Sequence, residues 1–571
     1  MSQDKKVLRK EIRFAIHLPK KDYREDTHYI KEHIYYEDGT SKWHTFLVQD
    51  FQRPVWATSK SHRNHTDKKE FEDREKVLEQ KCTQSDINRV VAGLLEVPHL
   101  ANRPKELRSS PYLYGYDQTS TSIIKLQSLM KNKFVQSPYT VAASDIETDI
   151  DTREVLMVTI AFEGRTYTCI LQKYLENKGI YDFDKQVRAA MDRYLPQYKD
   201  KLKSTFQIFE KEGDMLIDLF RVANEWGPDF LAYWNMNFDI PRIFERANEL
   251  GVKPADIFCD RSVPSRFRFA RYKEGITKKV KGGKAKPVNP SLQWHSLIST
   301  SSFYVIDAMC VYRQLRMAKQ EEPSYSLDAI LQKELGSRKL KFEEAEEYKG
   351  EKWHRFMQQR YPIEYIVYHL YDCLGMLELD AKLRDLSHST PAFAGMTDFG
   401  KFNSNPKKIV DALFLFGLER GKVVGTTMPG KSMNEDEEEA AELIPDELIE
   451  SDNPEDYAGL DLKGWIQLLP QNFLIRDGLK CLSDFPEVTT NIRGMVADLD
   501  ATSAYPTATL VANVSKKTCV NEVIRIDGLT EEMFREQNLS VCLGGVNSLE
   551  YFQVCFDMPS LEEISVMLDT M

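Results

Sequence analysis

Ser144-Asp145-Ile146-Glu147 closes the run Tyr139 to Ala143, which is apolar and β-branched enough to form a strand. Side chains at i and i+2 of a strand share a face, so Asp145 and Glu147 project together. Val155 to Phe162 reads as a second strand, and Tyr167 to Leu171 as a third beyond Gly164. Three strands joined by tight turns predict an antiparallel start to a mixed sheet. Asp214 to Asn224 then has helical spacing, with Met215, Leu216, Leu219 and Val222 on one face and Gly227 ending it. A buried-looking strand follows from Phe230 to Trp234. Strands and helices alternate to about residue 385, which predicts an α/β domain with helices on a central sheet.

The flanks read differently. Residues 1–134 mix short alternating strands, such as His44 to Val48, with charged helical stretches, and an α+β accessory domain is expected there. Residues 135–385 form the α/β domain, and 386–571 a connecting region that regains strand character before Met495 to Asp500. Within it, Glu435 to Asp456 carries twelve acids and no base, so a solvated insertion or linker is expected.

A chain of 571 residues is too long for one core and suits three or four domains. Its 42% apolar and 29% charged residues exclude wholesale disorder. The 29 Phe and 26 Tyr suit deep cores and also stacking on unpaired bases. A net charge of -11 lacks the usual electrostatic footprint of a nucleic-acid binder. Locally the balance reverses: Arg261 to Lys286 carries ten Lys or Arg against Glu274 alone, with Phe267, Phe269 and Tyr272 interleaved. Arg266, Arg268, Lys278, Lys279, Lys281 and Lys284 are the candidate DNA contacts in that run, and a solvated loop is the plainer alternative. Nine dispersed cysteines without a Cys-x-x-Cys pair indicate neither a zinc site nor a disulfide framework. No signal peptide or long apolar span is visible, so a soluble intracellular protein is expected.

Hydrolysis of a phosphodiester needs a nucleophile generated at neutral pH and a stabilised leaving 3'-oxygen. Two divalent metal ions on hard carboxylate ligands, Mg²⁺ or Mn²⁺, supply both. Asp145 and Glu147 are two such carboxylates on one strand. Asp239 follows the strand ending at Trp234 and precedes Pro241, which places it at a strand-to-helix junction. Further on, Ile363, Ile366, Val367, Leu370, Leu374 and Leu377 form an apolar helical stripe. Tyr368 and Asp372 lie together on the opposite side, free to line a cleft, with the Tyr placed to orient an attacking water. In a chain with 88 acids each motif alone is common, and their order and context carry the reading.

In that order the chain resembles the proofreading exonuclease domain of family B DNA polymerases, whose motifs are D-x-E, N-x-x-x-F-D and Y-x-x-x-D. The resemblance implies an RNase H-like mixed sheet flanked by helices and 3'-to-5' hydrolysis of DNA. It assigns Asp145, Glu147, Asp239 and Asp372 as ligands of two Mg²⁺ or Mn²⁺ ions, Tyr368 as the water-positioning residue, and Asn235 and Phe238 as contacts to the unpaired 3' end. Only Met236 and Asn237 separate Asn235 from Phe238, a shorter spacing like that of protein-primed members, and Asn237 is an alternative to Asn235. Val305 to Tyr312 and Pro323 to Asp328 are most similar to the T4-like phage branch. In such polymerases a β-hairpin in the place of the basic run helps part primer from template.

Asp500-Ala501-Thr502-Ser503-Ala504-Tyr505-Pro506-Thr507 resembles the family's palm motif D-x-x-S-L-Y-P-S, departing from it at Ala504 and Thr507. The resemblance makes Asp500 a metal ligand for nucleotidyl transfer, with Ser503 and Tyr505 at the incoming nucleotide. After Thr507 there is neither the fingers motif K-x-x-x-N-S-x-Y-G nor an Asp-Thr-Asp hairpin. The expectation is therefore a partial palm: one subunit of a split replicative DNA polymerase of viral type, working in the host cytoplasm. Its expected partners are primer-template DNA, a second polypeptide carrying the fingers, remaining palm and thumb, and a sliding clamp. The competing readings are a stand-alone 3'-to-5' DNA exonuclease and a non-catalytic DNA-binding scaffold.

Overall fold

Every residue of Val155–Phe162 is buried, and this strand forms the middle of the central sheet in a computed structural model of the chain. The structure describes residues 5–20, 25–133, 135–281, 284–316, 321–389 and 413–426. It also describes two-residue strands at Ile466–Gln467, Val523–Ile524, Cys542–Leu543 and Val546–Asn547. Residues 1–429 form one compact unit and 430–571 a second. The acidic run and Asp500 to Thr507, with Asp500, Ser503 and Tyr505, lie outside the described residues.

The chain opens with an antiparallel sheet of β1 (Val7–Leu18), β2 (Thr27–Tyr36) and β3 (Ser41–Gln49). The central sheet takes β4 (Val141–Thr148), β5 (Val155–Phe162), β6 (Arg165–Leu171), β7 (Lys203–Phe209), β8 (Phe230–Tyr233) and β9 (Tyr304–Asp307) in the order β7-β6-β5-β4-β8-β9. The pairs β4/β5 and β5/β6 are antiparallel, whereas β6/β7, β4/β8 and β8/β9 are parallel. This mixed sheet with helices on both faces is consistent with the RNase H-like domain expected. Among the described residues, no helix is long and apolar enough to cross a membrane.

Alternation along β4 sets the two faces. Ala142 and Ile146 join Val158 and Ile160 in a core shared with α1 (Glu212–Trp226) and α2 (Met236–Glu249). Ala143 joins Met157, Ala161 and Ile170 in a second core. That core packs against α3 (Ala308–Leu315), α4 (Leu327–Leu335), α5 (Glu351–Arg360) and α6 (Pro362–Leu383). Asp145 and Glu147, in step with Ala143, therefore face α6.

Three features depart from the sequence reading. The strand expected over Tyr139 to Ala143 runs on to Thr148, because the ladder with β5 continues through Asp145↔Thr159 and Glu147↔Met157. Helix α2 starts at Met236, so Asp239 lies inside its first turns and not at the junction, and Pro241 falls within the helix. The cause is tertiary: Asp307, at the end of β9, accepts a 2.7 Å hydrogen bond from the Met236 N–H through Oδ2 and a 3.0 Å bond from Cys310 N–H through Oδ1. One carboxylate thus holds two helix N-termini. Lastly, the face of α6 opposite its apolar stripe is not open, since Tyr368 and Asp372 are buried beneath other elements.

The N-terminal sheet is fastened to the central one through Asp229, one residue before β8. Arg13 of β1 meets its Oδ2 at 2.9 Å, and Lys31 of β2 meets its Oδ1 at 3.0 Å. Lys31 also donates to the Gly227 and Pro228 carbonyls at 2.8 Å. All three charged groups are buried. Burial pulls Lys31 down to about 8 despite Asp229, and the two cations overcome burial to hold the Asp229 carboxyl far below its usual range. Gly227 ends α1 in the left-handed region, φ 58°, and a Cβ there would come within 2.1 Å of the Trp43 indole. Asp229→Ala leaves Arg13 its 2.7 Å ion pair with Glu11 but strands Lys31, and should lower unfolding free energy by about 3–5 kcal/mol in urea titrations. An unchanged midpoint would show that the triad does not fasten the sheets.

Candidate metal centre

Four carboxylates converge between β4, α2 and α6. Glu147, Asp239 and Asp372 are buried, and Asp145 is half-buried. Burial comes first and mutual repulsion second in what this does to them. Glu147 and Asp239 are pushed well above the ordinary carboxylate range by burial and then by the charge of Asp145. Asp239 also accepts a hydrogen bond from the Ile146 backbone N–H, which offsets part of the cost. Burial pushes Asp372 up to about 6, opposed by Lys339 and reinforced by Asp145. Such a group titrates as a unit and is ready to exchange protons for cations.

Helical spacing on α6 brings three side chains to β4, since 365, 368/369 and 372 recur at i+3 and i+4. Tyr365 donates its hydroxyl hydrogen to Glu147 Oε2. His369 Nδ1 lies 3.0 Å from Asp145 Oδ2. Asp372 Oδ2 accepts a 2.6 Å bond from Lys339 Nζ, which also donates to the Tyr368 hydroxyl at 3.2 Å. Asp372 Oδ1 is buried without a hydrogen-bond partner. Lys339 is in turn placed by Asp328, whose Oδ1 accepts from its backbone N–H at 3.0 Å. Asp328 follows the segment whose Tyr325 carbonyl takes the Trp234 indole N–H at 3.0 Å.

Asp145, Glu147 and His369 each place a ligand atom within 4.8 Å of the others. Several hard oxygens, one of them orphaned, and one imidazole nitrogen form a donor set that fits divalent cations.

At the N-cap of α2, Asn235 takes a left-handed backbone, φ 74°, and its Oδ1 is buried without a partner. Asn237, the alternative to it, already donates its amide to Gln293 Oε1 at 2.8 Å. Phe238 is 49% exposed. An aromatic ring in water one residue before Asp239 is available for stacking.

The basic run contains a hairpin, with Lys278–Lys281 pairing antiparallel to Lys284–Pro287. Lys278 and Arg266 are exposed, while the side chains of Lys279, Lys281 and Lys284 lie outside the described residues. Arg268 spends its guanidinium on the Val263 and Arg261 carbonyls, at 2.7 and 2.6 Å. Among the interleaved aromatics, Phe267 is buried, Phe269 packs beside it half-buried, and Tyr272 is bonded to His295.

His369, Lys339 and Tyr365 escaped the sequence reading. The spacing of Tyr365 and His369 relative to Asp372 on one helix was an available signal. Lys339 had none, because its partners lie about thirty residues further along the chain.

Residues 102–330 match the family model described as DNA polymerase family B, exonuclease domain. The match supports a family B DNA polymerase exonuclease domain in this chain, with the metal-dependent 3'-to-5' exonuclease function typical of that domain. It spans Asp145, Glu147 and Asp239 and stops short of Lys339, Tyr368 and Asp372. No curated protein matches the chain.

The raised carboxyls yield a prediction for the metal-free protein. A carboxyl with a folded pKa above its unfolded value near 3.9 leaves the folded state holding more protons, so stability falls as pH rises from about 4 through the folded value. Asp239→Asn removes one such group while keeping an acceptor for the Ile146 N–H. In EDTA its melting temperature should exceed that of the parent by a margin that grows with pH and vanishes near pH 4. Parallel pH profiles would refute the account of Asp239.

Proposed function

We propose that the chain is a 3'-to-5' DNA exonuclease acting as the proofreading part of a DNA polymerase, with Asp145, Glu147, Asp239 and Asp372 holding two divalent ions, Mg²⁺ or Mn²⁺. The observation that carries this reading is the convergence of four largely buried carboxylates with Lys339, bonded to Asp372, as the one ammonium hydrogen-bonded to the cluster among the described residues. A purely structural cluster would neutralise its acids, whereas this one keeps them in excess. When bound, the ions supply activation of water and stabilisation of the leaving 3'-oxygen.

The protein's own groups do the rest. Water adds to phosphorus, the bond from phosphorus to the 3'-oxygen breaks, and the 3'-hydroxyl leaves with a proton. Lys339 fixes the Tyr368 hydroxyl from one side, so its hydrogen points toward the cleft to orient the attacking water. Phe238 stacks on the terminal base, and Asn235 offers its unpaired Oδ1 to the same nucleotide. The double replacement Asp145→Ala/Glu147→Ala should abolish most divalent-ion affinity and slow release of nucleoside monophosphates from a labelled single strand by several orders of magnitude. Digestion at the parent's rate would refute the assignment.

Asp500, Ser503 and Tyr505 enter on sequence resemblance alone, as one part of a nucleotidyl-transfer site completed by fingers, further palm strands and thumb. On this reading Asp500→Ala should leave 3'-to-5' digestion intact. Loss of digestion would tie Asp500 to the exonuclease and contradict a separate site.

We further propose that the hairpin holds the strand entering the cleft. Neutralising Lys278, Lys279, Lys281 and Lys284 should flatten the salt dependence of single-strand binding, by up to about 3 in log–log slope at about 0.7 per phosphate contact. Turnover on saturating substrate should change less. An unchanged slope would remove the hairpin from the DNA path.

A further inference from the structure

We propose that His369 is a nitrogen ligand of the carboxylate centre, biasing it toward first-row transition ions such as Mn²⁺ over Mg²⁺. This inference rests on the reading of the cluster as a metal site and adds a ligand and an ion preference to it.

Three observations carry it. The His369 ring is fully buried, and its Nδ1 lies 3.0 Å from Asp145 Oδ2. Two ligands at right angles on one ion, each about 2.0–2.1 Å from it, sit about 3 Å apart, so the pair already has the spacing of neighbouring ligands. Glu147 completes a set whose ligand atoms all lie within 4.8 Å of one another.

The second observation is what the ring lacks. Nε2 is buried without a hydrogen-bond partner. Metal-bound histidines usually pass the other N–H to a further group, whereas a proton on this Nε2 has no protein acceptor, so the unpartnered nitrogen shows where the ring acts and not that it binds metal. The ring's polar contact with the protein is through Nδ1, at Asp145, and whatever it does it does there.

The third is the contrast with His354, the other imidazole near the acids. Its Nδ1 lies 2.7 Å from the Tyr365 hydroxyl and 3.8 Å from Glu147, so it is engaged away from the ligand set. Without an ion, Nδ1–H donates to Asp145. An ion held here would take the Nδ1 lone pair, with the ring's N–H on Nε2. Mg²⁺ favours oxygen, whereas transition ions accept imidazole readily, so a carboxylate–imidazole set shifts preference toward the latter.

Pulsed EPR on the full chain, stripped with EDTA and loaded with substoichiometric Mn²⁺, tests this. The expected result is electron spin-echo modulation from a directly bonded ¹⁴N, altered when histidine is labelled with ¹⁵N, retained in His354→Gln and absent in His369→Gln. Mn²⁺ affinity of His369→Gln should fall by at least about 10-fold, the loss seen when even an outer partner of a ligand is removed. Mg²⁺ affinity, read by competition against Mn²⁺, should move less. Bound Mn²⁺ without nitrogen modulation in the parent chain would overturn the histidine ligand and leave the metal site standing. Modulation that survives in His369→Gln would likewise overturn it, and absence of Mn²⁺ binding would overturn both. The labelled parent and the labelled His354→Gln chain together decide the question even if His369→Gln fails to fold.

Discussion

Repulsion among carboxylates held out of water governs this molecule's centre. Asp145, Glu147, Asp239 and Asp372 come from a strand and two helices, and each raises the cost of ionising its neighbours. A fold tolerates that arrangement only when hydrogen bonds and counter-charge limit the cost. Here Lys339 meets Asp372, Tyr365 meets Glu147, His369 meets Asp145, and the Ile146 N–H meets Asp239. Each carboxylate has one such partner, and each partner leaves acceptor capacity unused. The elements are thus fixed against one another in a state that still calls for cations.

Around this centre the surrounding polar groups act as fasteners. Asp307 ties the starts of α2 and α3 to the end of β9, which sets the pitch at which Asp239 enters the cleft. Asp229 gathers Arg13 and Lys31, so the N-terminal sheet closes the far side of β8. Removing either partner of such a buried pair leaves an uncompensated charge, which makes these positions costly to change although they touch no substrate. Asp307 and Asp239 are both buried acids near α2, and only their partners tell them apart: two amides fully engage the first, while the second faces other carboxylates.

Much of this was legible from the chain alone, for stated reasons. Period-two alternation put Asp145 and Glu147 on one face, and the largely apolar run from Val155 to Phe162 fell on the strand observed. Local patterning failed where distant residues decide. Asp239 looked like a junction residue because nothing nearby shows that Asp307 caps the helix at Met236. Tyr368 and Asp372 read as an outer face because α6 is covered on both sides by segments remote in sequence. Lys339 gave no signal, being one basic residue among 77, and acquires meaning only from what it touches. The aromatics interleaved in the basic run could not be sorted from sequence, since a buried Phe such as Phe267 and a solvent-facing one have the same sequence signature.

The central claim is that the cluster holds protons in place of metal ions, and calorimetric titration of the EDTA-stripped chain with Mn²⁺ near pH 7 tests it most directly. Run in two buffers of different ionisation enthalpy, the experiment separates proton release from binding heat. The account predicts saturable binding with net proton release, because the raised carboxyls of Glu147 and Asp239 must ionise to coordinate. In a Glu147→Gln/Asp239→Asn variant the release should disappear and the affinity collapse. Binding with the same apparent enthalpy in both buffers, or no binding, would contradict the account.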